Sequence, residues 1–289
     1  MNLLTRIERE LEGIVATTAT QQVPPLLAQA LQHAVFPGGA RVRPRLCMAV
    51  ALACEAPDLT APLAVAASIE LLHCASLVHD DLPCFDDAAL RRGRASVHKA
   101  YGERLAVLAG DGLIVLAFQS LARVAARDAA RFAELFEIVA TAVNAVSGIV
   151  AGQAWECEPQ LDLSRYHQGK TGALFAAATM AGARAAGREA APWRIFGERL
   201  GEAFQVADDL RDVLASVVEL GKVPGRDAEL GRPSAVGEFG LDGALARLDV
   251  LIEQTQSVIP PCAGAGLLRK LIRTESARLL PKELVRRAA

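Results

Sequence analysis

The chain has 289 residues, 52% hydrophobic but only 4% aromatic, with a net charge of −2. That length suits one large domain with an ample core, and a composition rich in Ala and Leu favours helix over strand. The lack of a basic block argues against nucleic-acid binding, and the lack of an uninterrupted apolar run of about eighteen residues argues against a membrane span.

The amino terminus, MNLLTRIERELEG, is charged and amphipathic rather than signal-like. Cys47, Cys54, Cys74, Cys84, Cys157 and Cys262 show no C-x-x-C pairing and read as free thiols of a reducing cytosol, so a soluble cytoplasmic protein is expected. Residues 3–16 and 23–35 have helical character, the second entered through Pro24 and Pro25. Next comes Gly38-Gly39-Ala40-Arg41-Val42-Arg43-Pro44. Paired glycines let backbone approach a ligand, and two arginines follow at once, although the string also suits a plain helix-to-helix turn. A helix resumes at Pro44. After a loop at 57–62, a helix from Leu63 to Asp81 delivers Asp80 and Asp81.

A Pro-containing turn then leads to Asp86, Asp87, Arg91 and Arg92. Four carboxylates this close repel one another unless a cation sits among them, and carboxylate oxygens favour a hard ion, Mg²⁺ before Zn²⁺. Arginine forks onto phosphate oxygens, so acid plus arginine suits a metal-bridged diphosphate. A solvated acidic-basic loop is the bland alternative.

Helical periodicity returns after Arg94, softly interrupted at Gly110-Asp111-Gly112. A further apolar helix spans 131–155 and sets Gln153 and Glu156 on one face. A helix over 165–186, capped by Ser164, carries Lys170 and Thr171 in its first turns, a place for an anion or simply an exposed pair. The second acidic helix, 193–220, puts Asp208, Asp209 and Asp212 on a shared face. A Gly/Pro-rich segment from Gly221 to Ser234 bears Lys222 and Arg232, and the amphipathic tail from Gly243 breaks at Pro260-Pro261 and Pro281.

Each half of the chain thus holds an apolar helix, an Asp cluster and a basic loop. Two such units suggest opposing walls of one site, charged above and greasy below. The matching ligand has a diphosphate head and a hydrocarbon tail. Cations there stabilise a departing diphosphate, and apolar walls keep water from a carbocation.

DDLPCFDD with LRRG, and FQVADDLRD, joined in order by GGARVRP, HCASLVHDD, GQAWE, KTGAL and GKVPGRD, resemble the trans-type isoprenyl diphosphate synthases over nearly the whole chain. CASLVHDDLP, AGQAWE, YHQGKTGALF and GRPSAV are most similar to bacterial geranylgeranyl diphosphate synthases of carotenoid and bacteriochlorophyll pathways. The resemblance implies an all-α fold, roughly ten or more helices around a deep central cavity. It implies a single domain over residues 1–289 and a homodimer. The implied reaction is head-to-tail (1′-4) condensation of isopentenyl diphosphate with dimethylallyl, geranyl or farnesyl diphosphate.

By the same resemblance, Asp80, Asp81 and Asp86 bind Mg²⁺ on one wall, and Asp208 with Asp209 or Asp212 on the other, with about three ions per site. Arg91, Lys170, Thr171, Gln205 and Lys222 hold the allylic diphosphate. Arg43, His73 and Arg92 hold isopentenyl diphosphate, and Arg232 helps close a lid. His73 taken alone also fits a packed core residue, with Phe204 as wall and Trp155 as core.

Three departures stand out. Ala40 replaces the family's usual Lys after Gly-Gly, leaving open whether Arg41 substitutes. Ala88 and Ala89 stand where further acids often occur. Arg211 replaces a usual apolar residue inside the second motif.

Ala75 lies five residues before Asp80, about 7 Å along the helix. Farnesyl-chain makers of the family carry an aromatic residue there, so Ala75 and Ser76 leave room for a longer chain, with Leu72 and Leu71 as candidate floors. A C20 product is expected, C15 being the alternative, and Ala75→Tyr is expected to shorten it. Two rivals, a prenyl-cyclising enzyme and a silent partner subunit, are disfavoured by the two complete aspartate sets.

Overall fold

The computed structural model describes residues 2–19, 22–36, 38–160, 162–214 and 234–279. Lys222, Arg232 and the break expected at Pro281 lie outside the described residues. The elements are α1 (Leu3–Ala16), α2 (Pro25–Val35), α3 (Val42–Ala53), α4 (Thr60–Asp80), a hairpin of β1 (Leu90–Arg91) and β2 (Arg94–Ala95), α5 (Val97–Tyr101), α6 (Glu103–Ala122), α7 (Ala129–Val143), α8 (Ile149–Ala154), α9 (Leu163–His167), a π-helical turn (Gln168–Gly172), α10 (Ala173–Ala185), α11 (Trp193–Leu214), α12 (Ala235–Ser257) and α13 (Ala265–Leu279). The fold is all-α, as expected.

The centre is α4, packed against α1, α3, α6 and α10. Its apolar residues are buried almost all round, from Val65 and Ile69 to Leu71 and Cys74, which marks a helix of the interior. On the other side α10 packs on α3, α7 and α11, so α4 and α11 stand on either side of α10. A smaller core joins α11 to α12 through Val206, Ala207 and Leu210 against Ala244, Leu248 and Leu251.

Several local expectations change. No interruption occurs at Gly110, which lies inside the continuous α6 close against the His79 ring of α4. The break falls instead at Gly102, where φ is +86°. The helix expected over 131–155 is two. Asn144 Oδ1 accepts from the backbone N–H groups of Val146, Ser147 and Gly148, ending α7 and redirecting the chain into α8. Asp162 rather than Ser164 caps α9, and a π-helical turn separates α9 from α10. Trp155 is only half-buried, under the Arg165 guanidinium, and is not a core residue.

By length and composition, α4 and α6 could each cross a membrane. The packing of α4 inside the protein accounts for its apolarity, whereas α6 exposes Val107, Leu108 and Val115.

Candidate functional site

A cavity of about 330 Å³ opens between the two acidic helices. Helix α4 lines it with Glu70, His73, Ser76, Leu77 and Asp80, a stripe at spacings of three and four. Helix α11 lines it with Phe204, Gln205, Asp208 and Arg211. Asp80 and Asp208, 128 positions apart in the numbering, therefore share one cavity. Around the rim stand Asp86, Arg91 and Arg92 from the loop and hairpin, Arg43 from α3, Ile149 and Gln153 from α8, and Tyr166, Lys170 and Thr171 from α9 and the π-turn.

The π-turn is wedged against α8. A side chain on Gly152 would meet Lys170 N at 2.1 Å, so only glycine lets the two backbones touch. That contact sets Lys170, whose Nζ donates to Asp80 Oδ1 at 3.2 Å and to Glu156 Oε1 at 2.6 Å. Gln153 Nε2 donates to the same two carboxylates, and Tyr166 Oη donates to Glu156. Gln153, Glu156 and Tyr166 were not among the site residues expected from sequence. The i, i+3 pairing of Gln153 with Glu156 was the available signal.

The arginines divide into two kinds. Arg43 is buried, with its Cζ 4.7 Å from the Phe175 ring centroid and Nη1 3.3 Å from His73 Nε2. Burial pushes its guanidinium down to about 10. Burial, joined by the charges of Arg43, Arg92 and Arg91, holds His73 well below the ordinary histidine range, so it is the neutral acceptor. Arg92 lies 3.9 Å from Glu70 and occupies a left-handed backbone position (φ +54°) beside Gly93 in the hairpin turn. A side chain on Gly39 would strike Arg92 at 2.9 Å.

Arg41, which also borders the cavity, behaves differently. Its guanidinium is sealed from solvent, donating to Glu8, to Glu70 at 2.7 Å and to the Val35 carbonyl. Burial lowers its pKa, but the carboxylates more than offset that and lock the charge. It anchors α1 to α4, while Ala40 is exposed on the cavity rim.

The aspartates also divide. Asp80, Asp86 and Asp208 line the cavity. Asp81, expected as a metal ligand, is buried behind it and accepts from Arg91 at 2.9 and 2.5 Å; burial raises its carboxyl against the pull of Arg91. Asp209 accepts from Ala235 N at 2.8 Å and from Gln205, so it fixes the start of α12 instead of facing the cavity. Asp212 is buried beside that face. Thr171 Oγ1 donates to Gln205 Oε1 at 2.7 Å, tying the π-turn to α11.

Among the described residues no three His, Cys, Asp or Glu side chains form a ready-made cage. The cavity offers carboxylate oxygens from two walls, a donor set that fits Mg²⁺ completing its shell with substrate oxygens and water.

Of the chain-length residues, only Ser76 faces the cavity. Ala75 and Leu72, 2% and 3% exposed, are packed in the core. Apolar lining comes instead from Leu77, Ile149 and Phe204, the last a wall residue as expected.

Comparison with known proteins gives a consistent picture. The polyprenyl synthetase family description matches residues 24–258. A geranylgeranyl diphosphate synthase of Cereibacter sphaeroides is 49% identical, with 98% of each chain covered. One of Rhodobacter capsulatus is 48% identical, with 97% of each covered. Among solved structures, an FPP/GFPP synthase from Zymomonas mobilis superposes with a TM-score of 0.79 at 31% identity, covering 95% of this chain and 99% of that one. A Helicobacter pylori geranyltransferase complexed with magnesium and isoprenyl diphosphate gives 0.78 at 30% identity, covering 94% and 96%.

Proposed function

The chain is a prenyltransferase belonging to the polyprenyl synthetase family, and we propose that it joins isopentenyl diphosphate head-to-tail to allylic diphosphates, ending at geranylgeranyl diphosphate (C20). The observation that carries this reading is the cavity lined jointly by Asp80 and Asp208 and ringed with Arg43, Arg91, Arg92 and Lys170.

Mg²⁺, when bound, supplies positive charge to the diphosphate oxygens, and Asp80, Asp86 and Asp208, with Asp212 beside them, are the residues that would hold about three ions. Lys170 and Arg91 grip the allylic diphosphate and stabilise the charge that grows on it as its C–O bond breaks. Arg43, stiffened by Phe175 and His73, and Arg92 hold isopentenyl diphosphate so that its double bond faces the allylic carbon. Leu77, Ile149 and Phe204 keep water from the cation. The double bond attacks it, and the proton then lost goes to the released pyrophosphate. By resemblance, Lys222 holds the allylic diphosphate and Arg232 helps close a lid.

A single-domain, cytoplasmic homodimer completes the reading, with the apolar side of α6 as the surface a second copy covers. One observation favours the shorter C15 product. A cavity of about 330 Å³ is at the small end of ligand pockets, so a C20 chain requires its walls to yield. Incubation with labelled isopentenyl diphosphate, farnesyl diphosphate and Mg²⁺, followed by product chromatography, tests both points. A C20 product supports the proposal; label in no product overturns it.

A further inference from the structure

Arg211 lies inside the second acidic motif, yet the proposed reaction gives it no task. It stands three residues after Asp208 on α11, and both side chains line the cavity. The helix that carries it is held from behind, because Val206, Ala207 and Leu210 are buried against α12. The other cations on the cavity, Arg41, Arg43, Arg91, Arg92 and Lys170, come from α3 and the residue before it, the hairpin and the π-turn, so among the described residues Arg211 alone brings positive charge from α11. Without it that wall offers Phe204, Gln205 and Asp208, and a diphosphate could meet its acidic part only through a metal ion.

Resting on the functional reading above, we propose that Arg211 binds diphosphate oxygens directly, so that this protein holds a diphosphate between both helical walls before any metal is bound. A guanidinium at this place forks onto phosphate oxygens, and on ligand release its charge balances the neighbouring Asp208. The shared chemistry is the diphosphate group, carried by both the allylic and the isopentenyl substrate.

The test is calorimetric titration of the full chain with inorganic pyrophosphate in EDTA, for wild type, Arg211→Leu and Arg211→Lys, each checked by thermal melting. The expected result is measurable wild-type binding, weakened about tenfold or more by Arg211→Leu and partly recovered by Arg211→Lys. Equal affinities in all three, or wild-type binding that needs Mg²⁺, overturn the proposal for Arg211 alone. A wild type that binds no pyrophosphate even with Mg²⁺ overturns the functional reading as well. Separate Michaelis constants then assign the substrate: a rise confined to isopentenyl or to allylic diphosphate identifies which one Arg211 holds, and no rise in either counts against the proposal.

Discussion

Lys170 Nζ lies 3.2 Å from Asp80 Oδ1, so the cation of the π-turn rests on the last carboxylate of α4. On the proposed reading, substrate oxygens would take the place of Asp80 on Lys170 and leave that carboxylate free to hold metal.

Replacing Lys170 by Met is therefore expected to lower kcat/KM for the allylic diphosphate about a hundredfold or more, since it removes charge-assisted bonds worth about 1.5–3 kcal/mol each. Glu156→Gln, which loosens Lys170 without removing it, is expected to cost about tenfold, mainly in KM. Steady-state kinetics decide; a Lys170→Met enzyme with unchanged constants contradicts the assignment.

Product length is expected to respond most directly at Ser76. A Phe there projects into the cavity between His73 and Asp80, and chromatography should show a shift from C20 to shorter products. Tyr in place of Ala75 acts from behind the wall, shortening the product at a stability cost of about 1–3 kcal/mol from overpacking. A C20 product from Ser76→Phe counts against this placement of the cavity wall.

The depressed pKa of His73 gives the protein an acid limit. The folded state keeps this imidazole neutral, while in the unfolded chain it takes up a proton as pH falls through about 6.5. Protons then favour unfolding, so this contribution to stability is present above that pH and lost below it. Thermal melting between pH 7.5 and 5 should show a flatter acid limb for His73→Asn than for wild type. Parallel limbs mean that another group sets the limit.

At Gly152 the backbone of α8 touches that of the π-turn, and any side chain must push Lys170 away. Gly152→Ala is expected to lose about 1–3 kcal/mol of stability and, by displacing Lys170, most activity. Melting temperature and turnover should fall together; full turnover in a destabilised variant separates the contact from the chemistry.

Much of this was legible in the chain. The helices through Asp80 and Asp208 follow from periodicity, and the two aspartate clusters pointed to facing walls because like charges need a shared counter-ion. What the string did not carry was angular. Ala75 was placed by its rise along α4, but five residues at about 100° each carry it about 140° round the helix from Asp80, into the core. The same geometry turns Asp81 toward Arg91 and Asp209 toward Ala235. Arg41 could not be told from Arg43 in the string, because what separates them is Glu8 and Glu70, supplied by other helices. The π-turn, which aims Lys170, depends on the Gly152 contact and leaves no periodic trace.

The central claim is that Asp80 and Asp208, from helices distant in sequence, serve one metal-dependent diphosphate departure. The most direct measurement is the condensation rate as a function of Mg²⁺ concentration in wild type, Asp80→Asn and Asp208→Asn. Both variants should lose about a hundredfold or more in rate and need more Mg²⁺ for half-maximal activity. A wild-type rate and Mg²⁺ requirement in either one would contradict the shared site.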